Sequence, residues 1–239
     1  MPFNMPRQSR IVLPGVAHHI IQRGNYKQSV FSREADFKKY CEWFKEYAER
    51  YGVETYAYCL MTNHVHFIVM PKTEDGLARV FNTLHMRYAQ YVNKRKQVTG
   101  HLWQGRFFSC LLDEAHLYRA IRYVERNPVR AKMAQQAWEY PWSSAREHIG
   151  EGKGPIPLSR FFEMSSQEWK EYLMESDDDM DREIRLKTQR GLAIGSDQFV
   201  REIENKLKRS LSCLSPGRPV KGDSALFSLF SGKKGAVPF

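Results

Sequence analysis

The stretch Cys59–Met70, CLMTNHVHFIVM, constrains the fold more than any other. It is an apolar run interrupted once, by the polar turn Met61-Thr62-Asn63. Runs of that length on either side of a turn predict an antiparallel hairpin, with strands over Val53–Leu60 and His64–Met70. Side chains alternate faces along a strand. His64 and His66 therefore point one way and Val65 points into a core. Two imidazoles on one face of a rigid strand can share a metal ion. One core and one surface histidine explain the same pattern, so the pair alone does not decide.

The flanking segments supply the rest of the layout. Val16–Gln22 reads as a first strand, ended by Arg23-Gly24-Asn25. Its His18 and His19 fall on opposite faces, so one of them could approach the histidine pair. Ser32 is expected to cap a helix running to Tyr51, with Phe37, Tyr40, Cys41, Phe44 and Tyr47 on one side. Gly76–Lys96 has the spacing of a long amphipathic helix, closed by Lys94, Arg95 and Lys96 where cations suit the helix dipole. A strand is expected over Phe107–Leu112, and Asp113 or Glu114 opens a helix to Arg126. The order β-α-β-β-α-β-α is that of a ferredoxin-like or RRM-like α+β fold, an antiparallel sheet with helices packed on it.

The last of these helices carries Tyr123 and Asn127, four apart and so on one face. Pro128 disfavours a helical conformation at Asn127 and places it at the helix end. Should this face look onto the histidine strand, His64, His66 and Asn127 supply three metal ligands, with the Tyr123 phenol beside them. A packing role for Tyr123 is the alternative, in a chain with 12 tyrosines.

Charge narrows the partners. The formal net charge is +10 over 239 residues and the pI about 9.4, which points to nucleic acid or another anionic surface. No apolar run approaches the roughly 20 residues of a membrane span. The basic opening Met1–Arg10 has no apolar region after it, against a signal peptide. Cys41, Cys59, Cys110 and Cys213 are scattered without a C-x-x-C pair, as expected of reduced thiols in a cytoplasm.

The His64-Val65-His66 strand, the Tyr123-x-x-x-Asn127-Pro128 helix and the Arg23-Gly24-Asn25 sequence together resemble the HUH single-strand nucleases. Within them the chain resembles the IS200-like, single-tyrosine transposases, specifically the REP-associated tyrosine transposases. The resemblance spans about residues 5–150. It implies strand cleavage and rejoining by transesterification, with Tyr123 as nucleophile, a 5′-phosphotyrosine intermediate and a free 3′-hydroxyl. It implies a divalent ion, Mg²⁺ or Mn²⁺, on His64, His66 and Asn127. A phenol, with a pKa near ~10, needs activation to attack at neutral pH, and a metal ion polarising the phosphate supplies part of it. The implied substrate is single-stranded and hairpin DNA, a REP-like palindrome, handled by a monomer in the cytoplasm at the nucleoid.

Candidate nucleic-acid contacts are Arg7, Arg10, Arg23, Asn25, Trp103, Arg106, Arg126 and Arg130, with Arg218 and Lys221 in a Ser-Pro-Gly-Arg-Pro-Val-Lys segment that resembles an AT-hook core. Exposed arginines are often merely solvated, and Trp103 could equally be core. The expected organisation is a catalytic domain over residues 1–149, a Gly/Pro-rich linker over 150–164, a helical region over 165–211 and a basic tail over 212–239. Helices are expected over Ser166–Glu175, Asp177–Arg190 and Asp197–Lys208, with Gly191–Gly195 as a turn. The two helices about that glycine turn form either a DNA-binding helix-turn-helix or a hairpin bracing the core. Two other functions remain open: a structured-DNA or RNA binding protein that does not cut, and a metal-dependent hydrolase of small phosphoesters.

Overall fold

Alternating burial along the strands organises the molecule. The computed structural model describes residues 10–160, 163–208 and 210–211. Strands β1 (Ala17–Arg23), β2 (Val53–Met61), β3 (His64–Pro71) and β4 (Phe108–Leu112) form an antiparallel set, with β1 between β3 and β4. Val65, Phe67 and Val69 of β3 face one side and join Ile20, Tyr58 and Leu60 in a core cluster. This cluster is closed by helices α1 (Glu34–Arg50) and α2 (Gly76–Lys96). Ile68 faces the other side, with Ala57, Cys59 and Met61, against α3 (Glu114–Glu125).

The hairpin is tighter than the sequence suggests. Met61 pairs with His64, so the loop is only Thr62-Asn63. The segment after β1 folds back over that loop. Gly24 N–H donates to Asn63 O at 2.8 Å, and Val30 and Phe31 N–H groups both donate to Thr62 O. A Cβ on Gly24 would lie 2.4 Å from Gln28 O and 2.9 Å from Val30 Cγ1. Only glycine fits there without moving backbone.

Helix α1 starts later than expected, and Ser32 does not cap it. The carboxylate of Asp36 accepts from Ser32 N–H at 2.9 Å and Arg33 N–H at 3.1 Å instead. A carboxylate inside the first turn meets the positive helix end and outcompetes a hydroxyl. Asp113 caps α3, its Oδ1 accepting from His116 N–H at 2.8 Å. Asn127 then opens the short helix α4 (Asn127–Arg130), with Pro128 at its first turn, where a missing N–H costs nothing.

Beyond α5 (Ala145–His148), helices α6 (Ser166–Met174), α7 (Asp178–Arg190) and α8 (Asp197–Leu207) follow. Gly191 ends α7 in the left-handed region, at φ +66°. The next residues are not simply a turn. Ala193–Ile194 forms β5, parallel to β4 through Leu111↔Ala193 and Leu112↔Ile194. The expected all-antiparallel sheet is therefore corrected to a mixed one of order β2-β3-β1-β4-β5. Two residues carry no period, so the pairing was invisible locally; it is the open edge of β4 that recruits them. Among the described residues, no helix is long and apolar enough to cross a membrane.

Candidate active site

His64, His66, Tyr123 and Asn127 line one cavity of about 620 Å³. They come from two elements. The histidines stand on the α3 side of β3, and Tyr123 and Asn127 sit one turn apart where α3 passes into α4. The ring centroids of Tyr123 and His66 are 5.7 Å apart, edge to face. Burial is nearly complete for both, at 2 % exposure each.

Arg130 holds this arrangement. Its guanidinium lies 4.0 Å from the centre of the Tyr123 ring. One nitrogen donates to Tyr123 O at 3.0 Å and Asn127 Oδ1 at 2.8 Å, and the other reaches Asp181 at 2.7 Å. The Asn127 amide nitrogen donates to Tyr123 O and Val124 O, so its oxygen is the end turned away from the helix carbonyls.

The histidines are neutral at physiological pH. Burial, then the positive charges of Arg23 and Arg130, hold His64 down to about 4. His66 lies well below its ordinary value through burial, His64, His19 and the same arginines. Both Nδ1 atoms are occupied: His64 Nδ1 lies 2.6 Å from Asn63 Oδ1, and His66 Nδ1 lies 2.9 Å from His19 Nε2. Asn63 Nδ2 donates to Lys27 O at 3.2 Å, which identifies Oδ1 as the acceptor and leaves the proton on His64 Nδ1. His64 then offers its Nε2 lone pair. Neutral imidazoles and an amide oxygen suit a divalent ion. Among the described residues there is no group of three or more His, Cys, Asp and Glu that could hold a metal.

The candidate nucleic-acid contacts divide. Arg23 and Arg130 line the main cavity. Arg10 and Arg106 line an adjoining one of about 390 Å³, which shares Arg23, Gln104, Phe108 and Gln189 with the first. Asn25 sits in the turn after β1, where its N–H donates to Leu102 O. Arg126 points to α6 and donates to Leu173 O and Glu175 O. Trp103 is 8 % exposed and packs on α2, its indole N–H donating to His85 O at 2.9 Å. Phe108, 38 % exposed, lines both cavities. Arg7, Arg218 and Lys221 lie outside the described residues. Sequence reasoning missed Arg185 and Gln189 of α7, which also line the main cavity; no motif marks them.

Comparison with known proteins bears on the core. Residues 13–127 match the family described as "Transposase IS200 like". A Haemophilus influenzae protein named as a REP-associated tyrosine transposase is 26 % identical over 117 residues, 44 % of this chain and 66 % of that protein, just under two thirds of its length. A solved structure of a REP-associated tyrosine transposase bound to a REP hairpin superposes with a TM-score of 0.52 at 16 % identity, over 68 % of this chain and 96 % of that one. At that identity the likeness is one of fold.

Proposed function

We propose that this chain, whose residues 13–127 match the family described as "Transposase IS200 like", cuts and rejoins one strand of hairpin DNA through a covalent tyrosine intermediate. The observation that carries this reading is the convergence of Tyr123, Asn127, His64 and His66 on one cavity. The element order β1-α1-β2-β3-α2-β4-α3 is in keeping with a ferredoxin-like HUH nuclease core. The relatives' names favour a REP-like palindrome as substrate.

In this mechanism the Tyr123 oxygen attacks the scissile phosphorus. A Tyr–O–P bond forms, the P–O3′ bond breaks, the phenol proton passes to solvent and the departing 3′-oxygen takes one up. The DNA 5′-phosphate stays on Tyr123 and a 3′-hydroxyl is freed. The ester conserves the energy of the broken bond, so reversal with another 3′-hydroxyl joins strands without ATP. His64, His66 and Asn127 would hold Mg²⁺ or Mn²⁺, which when bound polarises the phosphoryl oxygen and stabilises the leaving group. Arg23, Arg130 and Arg185 put positive charge around the phosphate's place. Arg130, stacked on the phenol ring, fixes its orientation. Phe108 offers a face for an unpaired base next to that phosphate.

The test is incubation of an end-labelled hairpin oligonucleotide bearing a single-stranded foot with protein and Mn²⁺. An SDS-resistant adduct is expected, abolished in Tyr123→Phe. Cleavage without an adduct would favour simple phosphoester hydrolysis. A mobility shift with neither would make the protein a binder that does not cut.

A further inference from the structure

Helix α7 lies outside the segment that matches the family, yet one of its faces reaches the heart of the cavity. Asp181, Arg185 and Thr188 are spaced four and three apart, on one side of a helix. Asp181 holds Arg130, and Arg185 lines the cavity. Thr188 is fully buried and hydrogen-bonded to His19, which stacks on His66 with ring centres 5.2 Å apart and planes within 8°.

The direction of each hydrogen bond in this chain follows from the one before. Thr188 Oγ1 lies 2.6 Å from Ile184 O. A carbonyl only accepts, so the single hydroxyl proton goes there. The hydroxyl then has only lone pairs left for His19 Nδ1, 2.8 Å away, and His19 must donate from that nitrogen. The other ring nitrogen of His19, Nε2, is thereby an acceptor. It faces His66 Nδ1 at 2.9 Å, so His66 must carry its proton on Nδ1. His66 is left with a lone pair on Nε2. His19, His66 and Thr188 are between 0 and 2 % exposed, so water does not compete for these positions.

The opposite order requires Thr188 to turn its proton to His19. Ile184 O would then lose this hydroxyl donor, and His66 would carry its proton on Nε2, where it cannot ligate. His64 is set differently, by the local relay from Lys27 O through Asn63. The His66 relay comes from a residue 169 positions from His19.

We propose that Thr188 of α7, acting through His19, sets the tautomer of His66 and so presents its Nε2 to the metal, making the C-terminal helix a working part of the active site. Thr188 and His19 are positioning residues; neither touches DNA or ion. The inference rests on the reading of His66 as a metal ligand. It also gives α7 a task beyond bracing, and it explains a threonine on the buried face of a helix where an aliphatic residue would pack as well.

The test separates tautomer from affinity. In metal-free protein, long-range ¹⁵N–¹H correlation spectra of the histidine rings read the tautomer directly. His66 is expected as the Nδ1–H form in the wild type. In Thr188→Val, which keeps the shape and removes the hydroxyl, that preference should be lost. Thr188→Ser should restore it. Titration with Mn²⁺ alone should show about 10-fold or more weaker binding in Thr188→Val and near-wild-type binding in Thr188→Ser. A wild-type His66 in the Nε2–H form overturns the proposal without any variant. So does Thr188→Val with an unchanged tautomer and unchanged Mn²⁺ affinity. If Thr188→Val does not fold, Thr188→Ala takes its place with the same expectations. Should the wild type bind no Mn²⁺, the metal reading falls, while the spectra of the metal-free protein still decide the relay.

Discussion

The two faces of the sheet use the same strands for opposite ends. On the α1/α2 side, Phe67 stacks on Phe44 at 4.3 Å, and the hydroxyls of Tyr40 and Tyr88 find partners close by, while the buried Tyr58 hydroxyl has none among the described residues. Tyr40 OH meets His85 Nε2 at 2.9 Å, and Tyr88 OH donates to Val30 O at 2.8 Å. On the α3/α7 side the polar chains run toward a cavity: Arg130 to Tyr123 and Asn127, and Thr188 through His19 to His66. His66 is buried, as Tyr40 is. The difference is where the hydrogen bonds end. A network that closes on itself stabilises, whereas one that leaves a lone pair facing open space can bind and react.

Acid should reveal what the faces share. Burial holds His18 at about 4 and His85 at about 3 on the first face, and His64 at about 4 and His19 at about 3 on the second. The unfolded chain takes up these protons near pH 6.5 and the native chain does not, so stability is complete above about 6.5 and is lost as pH falls toward 4. We expect this to exceed any single substitution, as unfolding free energy measured between pH 7.5 and 4.5. A flat profile would mean the rings are not buried as neutral groups.

Substitutions should then separate the faces. Phe67→Ala is expected to cost about 3–5 kcal/mol by urea denaturation, because the surrounding aromatic rings cannot collapse into the space. Adduct formation should survive in whatever fraction is folded. His64→Ala should do the reverse, removing the adduct while changing stability by under about 1.5 kcal/mol, since it sits at the hairpin loop. Loss of activity in folded Phe67→Ala would erase the distinction.

Glu125 ties the tyrosine helix to the C-terminal region. It is fully buried, and its carboxylate accepts from Ser144 Oγ, from Trp169 Nε1 at 2.9 Å, and meets His148 Nδ1 at 2.6 Å. Glu125→Ala removes the buried acceptor those three groups share and should cost about 2–4 kcal/mol. Because α3 carries Tyr123, some loss of adduct should follow, in contrast to Phe67→Ala. Tyr26, 94 % exposed, is the baseline: Tyr26→Ala should move stability by no more than about 0.5 kcal/mol.

Legibility in the sequence followed the range of the interactions. Helix α2 runs over Gly76–Lys96, the residues its apolar stripe and basic end predict. The α1 cap was misplaced because a hydroxyl and a carboxylate compete within one turn, and only geometry chooses. Phe107 and Phe108 are adjacent aromatics, and which is buried depends on where β4 begins. Strand parity put His18 and His19 on opposite faces but could not say which face met Tyr123. Thr188 had no local signal at all, since its partner lies on the far side of the chain.

Spacing by itself determined that His64 and His66 share a strand face and that Tyr123 and Asn127 share a helix face, because backbone periodicity is a local property. Only the tertiary structure decided that those faces meet over one cavity, and that α7 closes it. Such encounters depend on which apolar surfaces bury one another, and no window of the sequence contains both partners.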